Sequence, residues 1–334
     1  MKIGRARAYT NIALIKYWGK RDEKLILPMN SSLSLTLDAF YTDTQVVFRK
    51  TLQEDHFFLD GQLQSGPAAG KVHAFLDIVR EKAQTTLFAE VFSRNYVPTA
   101  AGLASSASGL AALAGASSAA LGLDLSPAEL SRLARRGSGS ACRSIYGGLA
   151  EWKKGSSDRD SYAIPLKGAR DPFVHELSMI FLVLDAGQKK ISSRDGMRRT
   201  VETSVFYDGW ICAAEADLLA AERAINEENL PVLGEATERS ALRMHATTLG
   251  ACPPFSYWRP ETLAAMEFVA RLREEGFSCW FTMDAGPNVK ILTTRKEAAR
   301  VKRRLAEVFS AEKIITAFAG PGIQIEIESG ERND

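Results

Sequence analysis

Four stretches of the chain carry residue types and spacings that chemistry needs. The first runs Pro98-Thr99-Ala100-Ala101-Gly102-Leu103-Ala104-Ser105-Ser106-Ala107-Ser108-Gly109 and continues to about Leu121 as an Ala/Leu/Gly/Ser run. A small-residue loop feeding a helix N-terminus leaves the first backbone N–H groups unpaired and lets an anion approach them, so phosphate is the expected occupant. No Gly-Lys-Ser/Thr follows at Walker A spacing. On composition alone the run also reads as a helix that merely packs tightly. The second feature is Lys16, set inside the apolar strand pattern Asn11 to Trp18 and sharing a face with Ile12, Leu14 and Trp18. A lysine there needs an anionic partner or an open cavity. In the third, Gly137 to Gly148, glycines and serines alternate ahead of Arg143, whose planar fork suits a carboxylate or phosphate. Such a loop by itself equally describes a flexible connector. The fourth is Asp284, which ends a short strand pattern at Ser278 to Thr282 and opens Asp-Ala-Gly-Pro-Asn. It is either a turn aspartate or a carboxylate held rigidly enough to orient or deprotonate a hydroxyl.

The elements that must position these groups follow from periodicity. Residues 1 to about 64 read as β, with strands at Asn11 to Trp18, Ser32 to Phe40 and Thr44 to Arg49 and a hairpin signal at Asp60-Gly61. A helix over 67 to 84 and a strand over Leu87 to Val97 deliver the chain to the first loop; Lys71 and Ser93 border that unit and either face a nucleotide or lie in solvent. Ser126-Pro127-Ala128-Glu129 is a capping box with proline at the first helical position, opening a helix to about Arg136. Leu149 to Lys153, Ser161 to Leu166 and Met179 to Leu184 read as strands, and a domain boundary is expected near 170 to 186. Asp185 to Met197, with two lysines and two serines, is a substrate-facing loop or a linker. Helical sequence follows over about 196 to 226, 231 to 249 and 260 to 275, and strands over Ile314 to Phe318 and Ile323 to Ile327 close the pattern around Gly320-Pro321-Gly322.

Bulk composition narrows the partners. The 334 residues are 46% hydrophobic and 25% charged, enough for two domains with ample core. Lys+Arg 42 against Asp+Glu 40 leaves +2, so no global field marks a nucleic-acid or membrane binder, and any anion site is local. The basic run Arg295 to Arg304 is interleaved with Glu297 and holds no aromatic, as a solvated helix face would be. Four widely spaced cysteines without a C-x-x-C pair suit a reducing compartment. With no apolar leader and no run long enough to span a bilayer, the expectation is a soluble cytoplasmic protein.

With these pieces assembled, the chain resembles the GHMP small-molecule kinase superfamily and, within it, the diphosphomevalonate decarboxylases. The resemblance is carried by Asn11 to Lys20 (NIALIKYWGK), Leu27 to Leu35 (LPMNSSLSL), Pro98 to Ser108 (PTAAGLASSAS), Gly137 to Gly148 (GSGSACRSIYGG), Ser192 to Met197 (SSRDGM), Met244 to Thr248 (MHATT) and Phe281 to Lys290 (FTMDAGPNVK). It implies a two-domain α+β fold: an N-terminal mixed βα domain over 1–180 with the phosphate loop, a C-terminal domain over 181–334 with an antiparallel sheet and helices, and a cleft between. It also implies ATP and Mg²⁺ as cofactors, (R)-5-diphosphomevalonate as substrate, and a homodimer. Asp284, Lys16, Arg143 and Asn11 take the catalytic positions. Asp284 meets the 3-hydroxyl with Lys16 beside it, while Arg143 grips the substrate carboxylate near Asn11. Tyr17, Lys20, Ser138, Gly139, Ser140, Ser192, Arg194 and Met197 match positions around the substrate. Lys71, Ser93, Pro98, Gly102, Leu103, Ala104, Ser105, Ser106 and Ala107 match positions around ATP, with Ser105 and Ser106 nearest the metal. Rival readings are a kinase or decarboxylase of mevalonate or its monophosphate, and a non-catalytic nucleotide-binding module.

Overall fold

A computed structural model of the chain describes residues 2–96, 106–185, 187 and 190–329. In chain order the first half comprises β1 (Lys2–Ile15), β2 (Lys20–Asp22), β3 (Leu27–Pro28), β4 (Ser32–Arg49), β5 (His56–Leu59), β6 (Gln62–Leu63), α1 (Gly66–Ala83), β7 (Phe88–Tyr96), α2 (Ser106–Ala120), α3 (Pro127–Gly137), β8 (Leu149–Trp152), β9 (Ala163–Lys167) and α4 (Pro172–His175). The second half comprises β10 (Leu177–Leu182), α5 (Ser193–Thr203), α6 (Tyr207–Asn226), α7 (Leu230–Leu249), α8 (Pro260–Glu274), β11 (Cys279–Met283), β12 (Val289–Thr294), α9 (Arg295–Ala306), β13 (Ile314–Phe318) and β14 (Gln324–Ser329).

An eight-stranded sheet runs β14-β1-β4-β7-β5-β6, with β8 beside the first part of β4 and β9 beyond it. Its pairings are antiparallel except the parallel β5·β7 pair. The two strands expected over Ser32 to Phe40 and Thr44 to Arg49 are one continuous strand, β4. Polar Tyr41 to Thr44 does not turn because each residue finds a cross-strand partner: Tyr41 stacks on Tyr96 at 4.5 Å between ring centroids, and the Thr42 and Thr44 hydroxyls bond Asn95 and Ser93 at 2.9 Å. The second sheet, β11-β12-β10-β13, is antiparallel throughout. Gly320-Pro321-Gly322 does not close a hairpin. It carries the chain from β13 in the second sheet back to the first, where β14 pairs with β1.

The long helix expected over 196 to 226 is two, α5 and α6, separated at Ser204 to Phe206. Tyr207 begins the second by turning its hydroxyl onto the Trp18 carbonyl at 2.7 Å. Within Gly137 to Gly148 the connector is ordered as a 3-10 helix over Gly139–Ile145.

Packing explains why the central helix is made of small residues. Of the 15 residues of α2, 13 are buried, so this helix is apolar all round and wedged against the sheet. Closest approach falls at Gly4 of β1, where a Cβ would lie 1.9 Å from the Ala116 carbonyl oxygen. Backbone cannot yield there as a side chain can. Gly4→Val is therefore expected to cost about 2–3 kcal/mol of stability, read as a lower urea midpoint with an unchanged denaturant slope. A second core joins the halves: Leu14, Leu33 and Leu35 from β1 and β4 pack with Met179, Phe181 and Leu292 of the second sheet and with α6 and α7. An aromatic cluster of Trp18, Tyr207, Trp210, Phe255 and Tyr257 lies alongside the cleft residues Met244 and Ala285.

Candidate active site

A cavity of about 300 Å³ opens where the end of β1, the 3-10 helix, the start of α2, α5 and the turn after β11 converge. Its chemistry begins at the end of β1. The strand stops at Ile15, so Lys16 lies just beyond it rather than on the face of Ile12 and Leu14. The backbone there is fixed: the Lys16 N–H donates to Ser240 Oγ at 3.1 Å, and its carbonyl accepts from Asn30 Nδ2 at 2.7 Å. Its ammonium donates to the Ala13 carbonyl at 2.8 Å and to Asp284 Oδ1 at 2.9 Å.

Asp284 follows β11 in a turn anchored from both sides. The Gly286 N–H donates to the Asp284 carbonyl at 2.7 Å, and Thr262 Oγ1 donates to the Pro287 carbonyl at 2.8 Å. Asn288 Oδ1 accepts from the backbone N–H groups of Leu184 and Asp185 at 2.8 and 2.9 Å. The second carboxylate oxygen, Oδ2, meets Lys290 Nζ at 3.0 Å.

The lysine side chains are only 3% and 6% exposed, whereas that of Asp284 is 39% exposed to the cleft. Burial pushes the Asp284 carboxyl up, but Lys16 and Lys290 outweigh it and hold the group well below the usual carboxylate range. For Lys16 burial wins over the attraction of Asp284 and pulls the ammonium down.

Arg143 sits across the cavity, 2% exposed. Its Nε donates to Asn11 Oδ1 at 3.3 Å, its Nη1 donates to Ser32 Oγ, and its guanidinium lies 5.9 Å from the Trp152 ring centroid. Asn11 is itself oriented, its Nδ2 donating to the Ser140 carbonyl at 3.0 Å and to Ser144 Oγ at 2.8 Å. Burial disfavours the Arg143 charge and raises Tyr17 well above the usual tyrosine range. Lys71 is also lowered by burial, with Arg194 and Lys20 adding to the effect.

Most of the expected site residues share this one cavity. Asp284, Lys16, Arg143, Asn11, Tyr17, Lys20, Ser138, Gly139, Ser140, Arg194, Met197, Lys71, Ser106 and Ala107 all line it. Ser192 is not in the lining: it caps α5, accepting from the Asp195 N–H at 3.1 Å, and its neighbour Ser193 faces the cavity. Ser93 is also elsewhere, on β7, bonded to Thr44 of β4 and bordering a separate concavity of the sheet. Pro98, Gly102, Leu103, Ala104 and Ser105 fall outside the described residues.

Sequence reasoning passed over Lys290, His245 and the supporting hydroxyls of Ser32, Ser144 and Ser240. Lys290 carried the same signal as Lys16, a lysine inside an apolar run. His245 gave no signal beyond its type; it is 1% exposed on α7, its ring 5.1 Å from that of Trp258, and burial drops it to about 3, so it is neutral.

Lys16, Lys20, Lys71, Arg143, Arg194 and Lys290 face Asp185 and Asp284 around the cavity, a strongly cationic lining suited to a polyanion. Among the described residues no three His, Cys, Asp or Glu side chains converge as a metal site.

Fold and cleft together define a two-domain α+β protein with a cationic cavity. Residues 8–163 match the model of the diphosphomevalonate decarboxylase-like N-terminal domain, and residues 179–332 match that of the mevalonate 5-diphosphate decarboxylase C-terminal domain. The diphosphomevalonate decarboxylase of Bos taurus is 35% identical over 91% of this chain and 80% of its own length. A crystal structure of mevalonate diphosphate decarboxylase from Staphylococcus aureus is 51% identical, covers 98% of both chains and superposes with a TM-score of 0.95. A structure of MDDEF in complex with MVAPP, AMPPCP and magnesium is 57% identical, covers 98% of this chain and 99% of that one, and has a TM-score of 0.93. The chain belongs to the diphosphomevalonate decarboxylase family.

Proposed function

We propose that the protein catalyses the ATP-dependent decarboxylation of (R)-5-diphosphomevalonate to isopentenyl diphosphate, with release of ADP, phosphate and carbon dioxide. The observation that carries this reading is a carboxylate, Asp284, clamped between two ammonium groups in the same cationic cavity as the buried fork of Arg143. Asp284 orients the 3-hydroxyl or takes up its proton as the γ-phosphoryl group of ATP is transferred to the hydroxyl oxygen, and Lys16 offsets the developing charge. Arg143, aimed by Asn11, holds the substrate carboxylate ionised, so that departure of the new phosphate and of carbon dioxide leaves the double bond of the product. Tyr17, Lys20, Ser138, Gly139, Ser140, Arg194 and Met197 surround the diphosphate and its neighbouring groups. Lys71 and the segment Pro98 to Ala107 receive ATP, with the start of α2 at Ser106 directed at its phosphates.

Mg²⁺ would be held largely by the phosphates themselves and water, and Ser105 and Ser106 would supply hydroxyl oxygens of the hard kind such an ion takes. Bound there, it supplies charge neutralisation of the phosphate oxygens. The division of the chain at about residue 180, a homodimeric state and a cytoplasmic location belong to the same reading; four free cysteines, two of them exposed, support a reducing compartment.

A turnover assay with ATP, Mg²⁺ and (R)-5-diphosphomevalonate, following all four products, tests it. Equimolar ADP, phosphate, carbon dioxide and isopentenyl diphosphate are expected. ADP without carbon dioxide would make the protein a kinase.

A further inference from the structure

We propose that Lys290 is a positioning residue for this reaction: from the interior of β12 it pins the second oxygen of Asp284, so that the carboxylate meets the cleft in one orientation between two ammonium groups. The inference rests on the reading of Asp284 as the group that meets the reacting hydroxyl.

A carboxylate at a strand end rotates freely about its last bond unless both oxygens are held. Lys16 occupies only Oδ1, at 2.9 Å, and Lys290 occupies Oδ2, at 3.0 Å. The two lysines come from opposite sides of the molecule's chain order, Lys16 from the end of β1 and Lys290 from the second sheet, so the carboxylate is gripped across the cleft. Lys290 is well placed to be rigid. Its backbone pairs with Phe181 of β10 on one side and Thr282 of β11 on the other, and its ammonium also reaches the Asn288 carbonyl at 3.4 Å. An apolar side chain would fill a strand interior without the desolvation cost of an ammonium, so packing alone gives no reason for lysine here. Among the described residues its one ion pair is with Asp284.

The other groups facing Asp284 are Arg143 from the 3-10 helix and the neutral His245 from α7. Burial pushes the carboxyl up, and two lysines together hold it down. With Lys290 removed, Lys16 is the one ammonium left against the carboxylate, with only the more distant charge of Arg143 beside it. Activity needs the ionised form, so the acid limb of the pH profile must move upward.

The test is steady-state and single-turnover kinetics of Lys290→Met, Lys290→Gln and Lys290→Arg, beside Asp284→Asn. Methionine and glutamine are expected to lower kcat about tenfold or more, with the KM values for ATP and diphosphomevalonate within about threefold of the parent. Their acid limbs move up, and Lys290→Arg returns the limb toward its parental position. Placed in the Asp284→Asn background, Lys290→Gln is expected to cost nothing further, because the group it positions is gone. A loss that is independent of pH and persists in that background, or an unchanged kcat, overturns the inference. Should Lys290→Met fail to bind ATP analogues as a folded protein does, the glutamine and arginine variants decide by the same criteria. Full turnover of Asp284→Asn would instead remove the reading on which the inference stands.

Discussion

Asp284→Asn is expected to lower kcat by about 10³-fold or more while leaving nucleotide affinity within a few-fold. Asparagine keeps the shape of the side chain and removes both the proton acceptor and the negative charge, so the loss falls in the transition state, where loss of a positioned acid or base typically costs about 10²–10⁴-fold. A second penalty adds to it: the amide nitrogen or oxygen now lies against two ammonium groups, one of which meets an N–H donor instead of an acceptor. Breaking a buried ion pair costs about 3–5 kcal/mol of stability, and since the Asp284 side chain is 39% exposed to the cleft, water lowers the cost toward or below that range. The pH dependence has a defined sign. The folded-state carboxyl is depressed, so its contribution is complete above the unfolded pKa of about 3.9 and is lost only as pH falls through the folded value. The stability gap between parent and variant should therefore be constant between about pH 6 and 8 and close only in strong acid. Single-turnover phosphoryl transfer, calorimetric ATP-analogue binding and thermal unfolding over that range measure the three effects separately. Near-parental turnover would take Asp284 out of the chemistry.

What the sequence made legible were local conflicts. Lys16, Arg143 and Asp284 each interrupt an apolar or Gly/Ser pattern with an ionisable group, and the structure brings all three to one cavity. Lys290 made the same conflict within Val289 to Leu292, but a lysine in a strand reports that an anion is near without saying which one. Its partner is fixed by the register of β11 against β12, which pairs Thr282 with Lys290, and register is a tertiary property. The same limit applies to the last strands. Two apolar runs around Gly-Pro-Gly suit a hairpin locally, yet β14 crosses to the edge of the first sheet that β1 presents. Ser93 shows it for a single side chain: alternation placed it on a strand, and only the neighbouring β4 determines that its hydroxyl meets Thr44. The helix after the first loop was legible because a run of small residues is a local signal; how that helix packs on Gly4 was not, since the contact joins residues more than a hundred positions apart.

Arg143→Lys separates geometry from charge in the step that distinguishes a decarboxylase from a kinase. Lysine keeps the positive charge and hence the potential of the cleft, but it cannot reproduce a planar fork held at Nε by Asn11 and at Nη1 by Ser32 and backed by Trp152. Each hydrogen bond to a charged partner contributes about 1.5–3 kcal/mol, so losing one or both members of a bidentate grip predicts a fall in carbon dioxide release of about 10²-fold, and up to about 10⁴-fold. The KM for diphosphomevalonate should rise as well, because the carboxylate is already ionised in the ground state, whereas nucleotide affinity should stay unchanged. Burial already disfavours the Arg143 charge, so a bound carboxylate relieves that cost, and the parent gains affinity that a more flexible, better hydrated ammonium does not. Asn11→Ala is expected to lower the rate less, by about tenfold, since Ser32 still holds the other side of the guanidinium and only its aim is loosened. The measurement is the ratio of carbon dioxide to ADP released per turnover, with the KM for each substrate. A parental rate of carbon dioxide release from Arg143→Lys would assign the carboxylate to another cation of the cleft. A fall in the ratio with ADP still forming would show that phosphoryl transfer proceeds without Arg143 and that its grip serves the later loss of carbon dioxide.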